Sequence, residues 1–530
     1  MEQQQQPEEK RPTRKPLDRD PAPPRPSSIA TVEGRVLDPA TAISVKGVRP
    51  RPTVYVGPRL VISKSVDFEG ALEVLRAVAE PLGWVVVPER EDPRTANLKF
   101  GVRPVRIDIG SNRATIAPDG WTLLQQTRAQ FGVDAVTGVG LDHLVFTNPY
   151  DASHPYDASH PYDASHPYDA SHPYDASHPA GSSSSAVATY AYPGSGGRQP
   201  IAYVGPAPRR RYDHRILGRR PVVAVLDTGC GRHPWLDPVV ERGAPLDGVA
   251  IGYDEPATDP ELHGDLVGQL DGMIDPLSGH GTFIAGLIHQ ACPDADILSW
   301  RVVPSAGPLV ESDWIVALAQ VAELVRRHRA GEPGGRPIDV LSLSMGYYHE
   351  TPEDALFDPT LYAILEDLSR HGTVVVCSAG NDATSRPCFP AAFAPWTDGN
   401  GPIPEQDDCL PIVSVGALNP NRRSDALFSN AGPWVRTYVP GAAVMSTFPA
   451  FEGGLLPVAR TTAFGRRRES IDPDDFRGGF GVWSGTSFAA PLLAGQLAAA
   501  MVDRMDAADD AEGARARAWH AVEEITGIAR

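Results

Sequence analysis

Hydrophobic positions along the chain follow two successive rhythms separated by a long polar stretch. The first begins near residue 54. Arg59 to Ser63 reads as a strand, and Phe68 to Leu82 places Leu72, Leu75, Val78, Ala79 and Leu82 at helical spacing before stopping at Gly83. Trp84 to Val87 and Val102 to Ile109 predict strands, Asp119 to Phe131 a helix, and Leu141 to Phe146 a last strand. The order strand-helix-strand-strand-helix-strand is that of the split βαβ, or ferredoxin-like, arrangement of a small α+β domain over residues 53–148. Ahead of it, residues 1–52 are rich in Pro, Gln, Arg and Glu without apolar periodicity, which predicts disorder.

The second rhythm starts near Ile216. Strand-like runs at 222–226, 296–302, 338–343, 373–377 and 411–416 alternate with helical segments. One helix is expected from Ser312, as N-cap, to Ala330, with Trp314, Leu318, Val321 and Val325 on a single face. Another is expected from Asp358 to Arg370, ending at Gly372. Strands alternating with helices imply an α/β domain, a parallel sheet with helices on both faces, over residues 212–510, with 511–530 as a helical tail. In such sheets the site lies beyond the carboxyl ends of the strands.

Between the two rhythms the hexapeptide PYDASH runs five times from Pro149 to His178 without variation. With Pro in every repeat and no apolar residue besides Tyr and Ala, it predicts an extended spacer and not a packed layer. At three residues per turn His154, His160, His166, His172 and His178 would share one side; a metal strip is conceivable there, and a plain spacer is the favoured reading. Gly/Ser/Pro-rich linker continues to Arg211.

Composition adds exclusions. A formal net charge of -18 disfavours nucleic acid or an anionic membrane as main partner. No run approaches the roughly 20 apolar residues of a membrane helix, and the amino terminus lacks the apolar stretch of a signal peptide, so a cytoplasmic location is expected. The cysteines, Cys230, Cys292, Cys377, Cys388 and Cys409, are odd in number and do not read as a disulfide framework. Cys388 and Cys409 could pair across a loop, though free buried thiols are the simpler expectation.

Three segments fall where catalytic groups belong. PVVAVLDTGC carries Asp227 out of a five-residue apolar run, SGHGTFIAGLI opens a helix with His280, and WSGTSFAAPLLAGQLAAAM places Ser487 at a helix start. Each alone is a modest signal, since a Ser at a helix start is usually a cap. Together, in the order Asp, His, Ser, they resemble the subtilisin superfamily of serine proteases, and VVVCSAGND, LSLSMG, PIVSVGA, LFSNAG and VPGAAVMST extend the resemblance over residues 216–503. The resemblance implies a subtilisin-like fold and a serine endopeptidase with Asp227, His280 and Ser487 as triad. It implies Asn381 as side-chain donor to the oxyanion, and polypeptides as substrates; amide hydrolysis of this kind needs no cofactor or metal, and the structural calcium common in the family has no evident ligand set in this sequence. Ser344, Met345 and Gly346, with Ser378, Ala379 and Gly380, would line the substrate pocket, whose small side chains leave room for a large apolar group.

Some positions depart from the family pattern. Cys230 follows the Asp motif where an apolar or β-branched residue is usual, Phe283 follows the His motif, and Phe488 replaces the usual Met. Residues 450–479, with Arg466, Arg467 and Arg468, look like a solvated insertion. By the same resemblance, the front domain would be a propeptide that assists folding and inhibits the cleft, with cutting in the 149–211 linker. The alternatives are an adaptor that stays attached and recruits a partner, or a regulated scaffold in which both domains form one switch.

Overall fold

The computed structural model describes residues 18–147, 190, 194–506 and 510–530, less residues 25, 42, 111–115, 269, 271, 306, 352–358, 404–407 and 454–456. The PYDASH repeat and its histidines lie outside the described residues.

In the front unit, β1 (Gly34–Val36) flanks β2 (Val54–Ser63), followed by α1 (Phe68–Ala79), β3 (Trp84–Pro88), β4 (Val102–Ile109), α2 (Gly120–Phe131) and β5 (Val139–Thr147). The strands pair antiparallel in the order β5–β2–β4–β3. Asp119 caps α2 by accepting from the Thr122 N–H at 2.9 Å. Alternation along β2 sends Leu60 and Ile62 to the side of α1 and α2, while Val61 enters the core of the larger domain beside Trp314 and Leu318. The central strand β2 is thus buried on both faces, which explains the consecutive apolar residues Leu60, Val61 and Ile62, while the edge strand β3 leaves Val85 and Val87 exposed.

The larger unit contains β6 (Val222–Asp227), β7 (Val240–Arg242), α3 (His280–Ala291), β8 (Asp296–Arg301), α4 (Glu311–Ala330), β9 (Val340–Leu343), α5 (Thr360–Arg370), β10 (Val374–Ser378), β11 (Val413–Leu418), β12 (Thr437–Pro440), β13 (Val444–Thr447), β14 (Phe480–Trp483), α6 (Thr486–Met501) and α7 (Ala511–Thr526). Its main sheet runs β12–β11–β10–β9–β6–β8–β7, with each pairing parallel. Alternate residues feed two cores. Ala224, Leu226, Leu341 and Val375 join α4 and α5 on one side; Val223, Val225, Val340 and Val376 join α3, α6 and α7 on the other. No described helix is long and apolar enough to cross a membrane.

The two units share a sheet edge. The end of β5 pairs antiparallel with Leu309–Val310 and with Met345–Gly346, bringing Thr147 opposite Met345 and Phe146 opposite Gly346. Beside this seam, Asp142 of β5 accepts from the Ser312 N–H at 3.0 Å and from the Ser312 hydroxyl at 2.9 Å. The expected cap of α4 is therefore corrected: Ser312 lies inside the first turn, the N-cap position is Val310 without a side-chain bond, and the capping carboxylate comes from the front unit. Burial pushes the Asp142 carboxyl up to about 6, against the opposing pull of Arg59 and Ser312.

Other expectations need adjustment. Residues 18–52 do not lie loose. They carry a helical turn at Pro26–Ile29, pair β1 with β2, and bury Ile29, Leu37 and Val48. Arg51 bonds Asp18 and Asp20, and the Thr384 hydroxyl donates to the Arg19 carbonyl at 2.6 Å. Single apolar anchors joined by ion pairs leave no periodicity to read. The helix expected from Asp358 starts at Thr360. All five cysteines are buried and free, so Cys388 and Cys409 do not pair. Residues 460–469 form an exposed hairpin, Arg460–Ala463 against Arg466–Glu469.

Candidate active site

The carboxyl edge of the parallel sheet collects the expected residues. Asp227 ends β6, between β9 and β8, and is delivered by an apolar strand that is buried throughout. His280 is the first residue of α3, after Gly279 in the left-handed region at φ +84°. The approach of α3 to the turn after Asp227 requires Gly281, because a Cβ there would sit 2.0 Å from the Gly229 carbonyl oxygen. His280 Nδ1 donates to Asp227 Oδ1 at 2.6 Å, and the Thr228 N–H donates to the same oxygen at 2.8 Å. An ionised carboxylate only accepts, so this bond fixes the imidazole tautomer and leaves the Nε2 lone pair as the basic end.

Ser487 is the second residue of α6. Its hydroxyl donates to the Ser344 carbonyl at 3.1 Å, and the Ser344 hydroxyl donates back to the Ser487 carbonyl at 2.8 Å. The reverse bond has a local cause: Pro491, four residues on, has no N–H to give that carbonyl. Ser487 and His280 thus lie at the same edge without a mutual hydrogen bond, since His280 Nε2 has no partner among the described residues. Asp227, His280 and Ser487 are each 0% exposed, so the site is closed to a polypeptide as it stands.

Asn381 follows β10. Its Oδ1 accepts from the Thr486 N–H and hydroxyl, both at 2.9 Å, which orients the amide with Nδ2 as its donor end beside the start of α6. The Gly380 N–H also donates to the Thr486 hydroxyl, at 3.1 Å. Ser344, Met345 and Gly346 on one side and Ser378, Ala379 and Gly380 on the other therefore meet near Ser487, and Met345–Gly346 is the stretch already paired with β5. Aromatic rings pack around the imidazole: Trp483 is edge-on at 5.7 Å and Phe488 is tilted at 5.3 Å, with Phe283 tilted against Phe488 at 4.6 Å. The unusual Phe283 and Phe488 thus fill one apolar wall. Burial drives the Cys230 thiol up to about 12, which keeps it from competing as a nucleophile.

Two features escaped the sequence. Glu261 is buried against the turn after Asp227, and nothing periodic surrounds it in Asp259-Pro260-Glu261. A second buried set joins the two units: His143 of β5 bonds Glu311 through Nδ1 at 2.6 Å and Glu350 through Nε2 at 2.8 Å. His143, His349 and Glu350 are close enough to hold a metal ion, but both His143 nitrogens are engaged and His349 Nδ1 accepts from the Thr351 N–H at 3.1 Å. That donor set is better suited to a cationic imidazole than to a metal.

The comparisons with known proteins fall among serine proteases. The family model described as Subtilase family matches residues 218–520, more than half of the chain. The intracellular serine protease of Paenibacillus polymyxa is 27% identical over 300 residues, 54% of this chain and 68% of that protein. The major intracellular serine protease of Bacillus subtilis (strain 168) is 24% identical over 298 residues, 53% and 69% of the two chains. Mycosin-4 of Mycobacterium tuberculosis is 28% identical over 299 residues, 54% of this chain and 56% of its own. A solved cold-adapted subtilisin-like serine proteinase aligns with 60% of this chain and 86% of its own at 19% identity and a TM-score of 0.36. A parallel sheet flanked by helices, with an aspartate, a histidine and a serine at one edge, together with the family match, places the chain in the subtilase family, peptidase S8, as a serine-type endopeptidase.

Proposed function

We propose that Asp227, His280 and Ser487 are the catalytic triad and that Asn381 Nδ2 and the Ser487 N–H bind the oxyanion. The observation that carries this is the 2.6 Å bond between His280 Nδ1 and Asp227, which leaves Nε2 without a partner among the described residues, on the edge where Ser487 stands in the first turn of α6. A rotation of the Ser487 side chain away from the Ser344 carbonyl gives its proton to Nε2 as the hydroxyl attacks the scissile carbonyl. The imidazolium, steadied by Asp227, then returns the proton to the leaving amine. Ser344, Met345 and Gly346 pair with substrate backbone, and Ser378, Ala379 and Gly380 border the side-chain pocket. Replacing Asn381 by alanine is expected to lower kcat by about 10²–10³ with KM little changed; steady-state kinetics on a chromogenic peptide check this. A KM effect alone would remove Asn381 from the oxyanion site.

The front unit is proposed as an inhibitor lodged in the cleft, released by cutting within residues 149–211. Support comes from β5, which adds antiparallel to Met345–Gly346 as a peptide substrate would, and from the closed site. The adaptor alternative draws on the buried joint at His143 and Asp142, which favours a front unit that remains seated. An intracellular location is likewise proposed, in keeping with the names of the Paenibacillus and Bacillus relatives.

A further inference from the structure

Glu261 is a carboxylate with no place in the triad, yet both catalytic segments converge on it. Its Oε1 accepts from the Thr228 hydroxyl at 2.5 Å and from the Gly281 N–H at 3.0 Å. Its Oε2 accepts from the Thr282 hydroxyl at 2.5 Å, and that hydroxyl in turn accepts from the Gly231 N–H at 2.7 Å. Thr228 and Gly231 belong to the turn after Asp227, and Gly281 and Thr282 to the first turn of α3 after His280. One side chain, 3% exposed, therefore ties the residues following the aspartate to those following the histidine.

We infer that Glu261 is a positioning residue for the triad, which holds Asp227 and His280 in register and decides which of two carboxylates the Thr228 hydroxyl serves. The inference rests on the triad reading above. Thr228 Oγ1 lies 2.5 Å from Glu261 Oε1 and 3.1 Å from Asp227 Oδ1. It has one proton, so it donates to one of them at a time. While Glu261 is ionised, the shorter contact takes the proton, and Asp227 Oδ1 keeps only the His280 and Thr228 N–H donors. When Glu261 gains a proton from solvent and donates it to Thr228 Oγ1, the Thr228 proton turns to Asp227 Oδ1. That oxygen then carries a third donor, and one negative charge near the imidazole is gone. Both changes weaken the stabilisation of the imidazolium formed during reaction.

The surroundings set where this happens. Burial raises the Glu261 carboxyl to about 7, against the bonds from Thr228 and Thr282, and the negative charges of Asp259 and Asp227 add to the rise. The charged and titratable groups around it are Asp227 from β6, whose partner is His280, Asp259 from its own loop, Arg301 from β8 against the same Gly229, and Cys230 with Arg242 behind it. Arg301 is turned elsewhere, its guanidinium donating to the Glu255 carbonyl and the Thr258 hydroxyl. No ion pair is formed by Glu261 among the described residues.

The test is the pH profile of kcat/KM for a peptide substrate between about pH 5 and 9, on full-length-expressed enzyme normalised by active-site titration. In the wild type, protonation of Glu261 adds an ionisation to the acid limb, which makes it steeper than a single ionisation. Glu261→Gln should lower the plateau about tenfold, leave an acid limb of one ionisation, and shift it to lower pH. A limb identical to the wild type in steepness and midpoint, whether or not the plateau falls, overturns the inference, because a merely structural tie would scale activity without reshaping it. Should Glu261→Gln fail to fold, Thr228→Val and Thr228→Ser carry the test. The valine variant, which loses the hydroxyl while Glu261 still titrates, should show a limb between that of Glu261→Gln and the wild type, and the serine variant the wild-type one; equal limbs in both overturn the inference. Failure of the triad reading would show instead as turnover by Ser487→Ala, which this series does not involve.

Discussion

Ser487→Ala is expected to lower kcat on a peptide substrate by about 10⁶, the size that loss of the nucleophile has in subtilisin, while the fold persists. The substitution removes one oxygen from a fully buried side chain and forfeits its 3.1 Å bond to the Ser344 carbonyl. Such a bond contributes about 1 kcal/mol to stability, too little to unfold a domain of this size. The bond in the other direction, from the Ser344 hydroxyl to the Ser487 carbonyl, needs only backbone and is retained. A circular-dichroism melt close to wild type, together with lost turnover, is the expected pair of results. Turnover near wild type would refute the nucleophile assignment. The same variant separates the two roles proposed for the front unit. Wild type that shortens on storage beside a full-length Ser487→Ala chain supports self-processing; both remaining full length favours the attached adaptor.

Much of this site was legible because its chemistry is local. Asp227 at the end of five apolar residues, His280 opening a helix, and Ser487 before Pro491 each carry their own backbone context in the sequence. The elements of the front unit were legible for the same reason: Val102–Ile109 and Phe68–Ala79 announce themselves by period. What stayed hidden depends on chain segments far apart. Glu261 stands 33 residues from its partner Thr228, in a loop with no repeating pattern. The cap of α4 comes from Asp142, 170 residues before Ser312, so a plausible local cap was read where a distant carboxylate does the work. Residues 18–52 were misread because Arg51 and Asp20 join the buried Arg386 of the larger unit by ion pairs, and composition alone scores such charged segments as disorder.

Charge at the joint between the units gives the other large effect. His143→Leu should weaken seating of the front unit by about 10²–10⁴, because breaking a buried ion pair from one side costs about 3–5 kcal/mol. Both ring nitrogens of His143 face carboxylates, Glu311 and Glu350, and all three groups are buried. The Tyr347 ring stacks on the imidazole at 4.6 Å, and Arg128 adds positive charge near Glu350. Burial opposes the charged imidazole, but Glu311 and Glu350 outweigh it and raise His143 to about 10 from an ordinary 6.5. His349, whose Nδ1 lies 3.4 Å from Glu350, goes the other way: burial lowers it to about 4 against the pull of that carboxylate.

The sign follows from linkage. A group whose seated value is raised stabilises the seated state fully below its ordinary value, and that stabilisation is lost as pH climbs through the raised one. Seating should therefore hold through neutral pH and weaken from about 6.5 toward 10, an alkaline release and not an acid one. Hydrogen exchange of residues 139–147 in the Ser487→Ala background, corrected for intrinsic rates, measures it. Protection should fall with rising pH in the histidine chain. In His143→Leu it should be low at every pH, because the two carboxylates then repel across a site with no cation between them. A leucine variant as protected as its parent at pH 7 would mean that backbone pairing with Met345–Gly346 alone seats the strand.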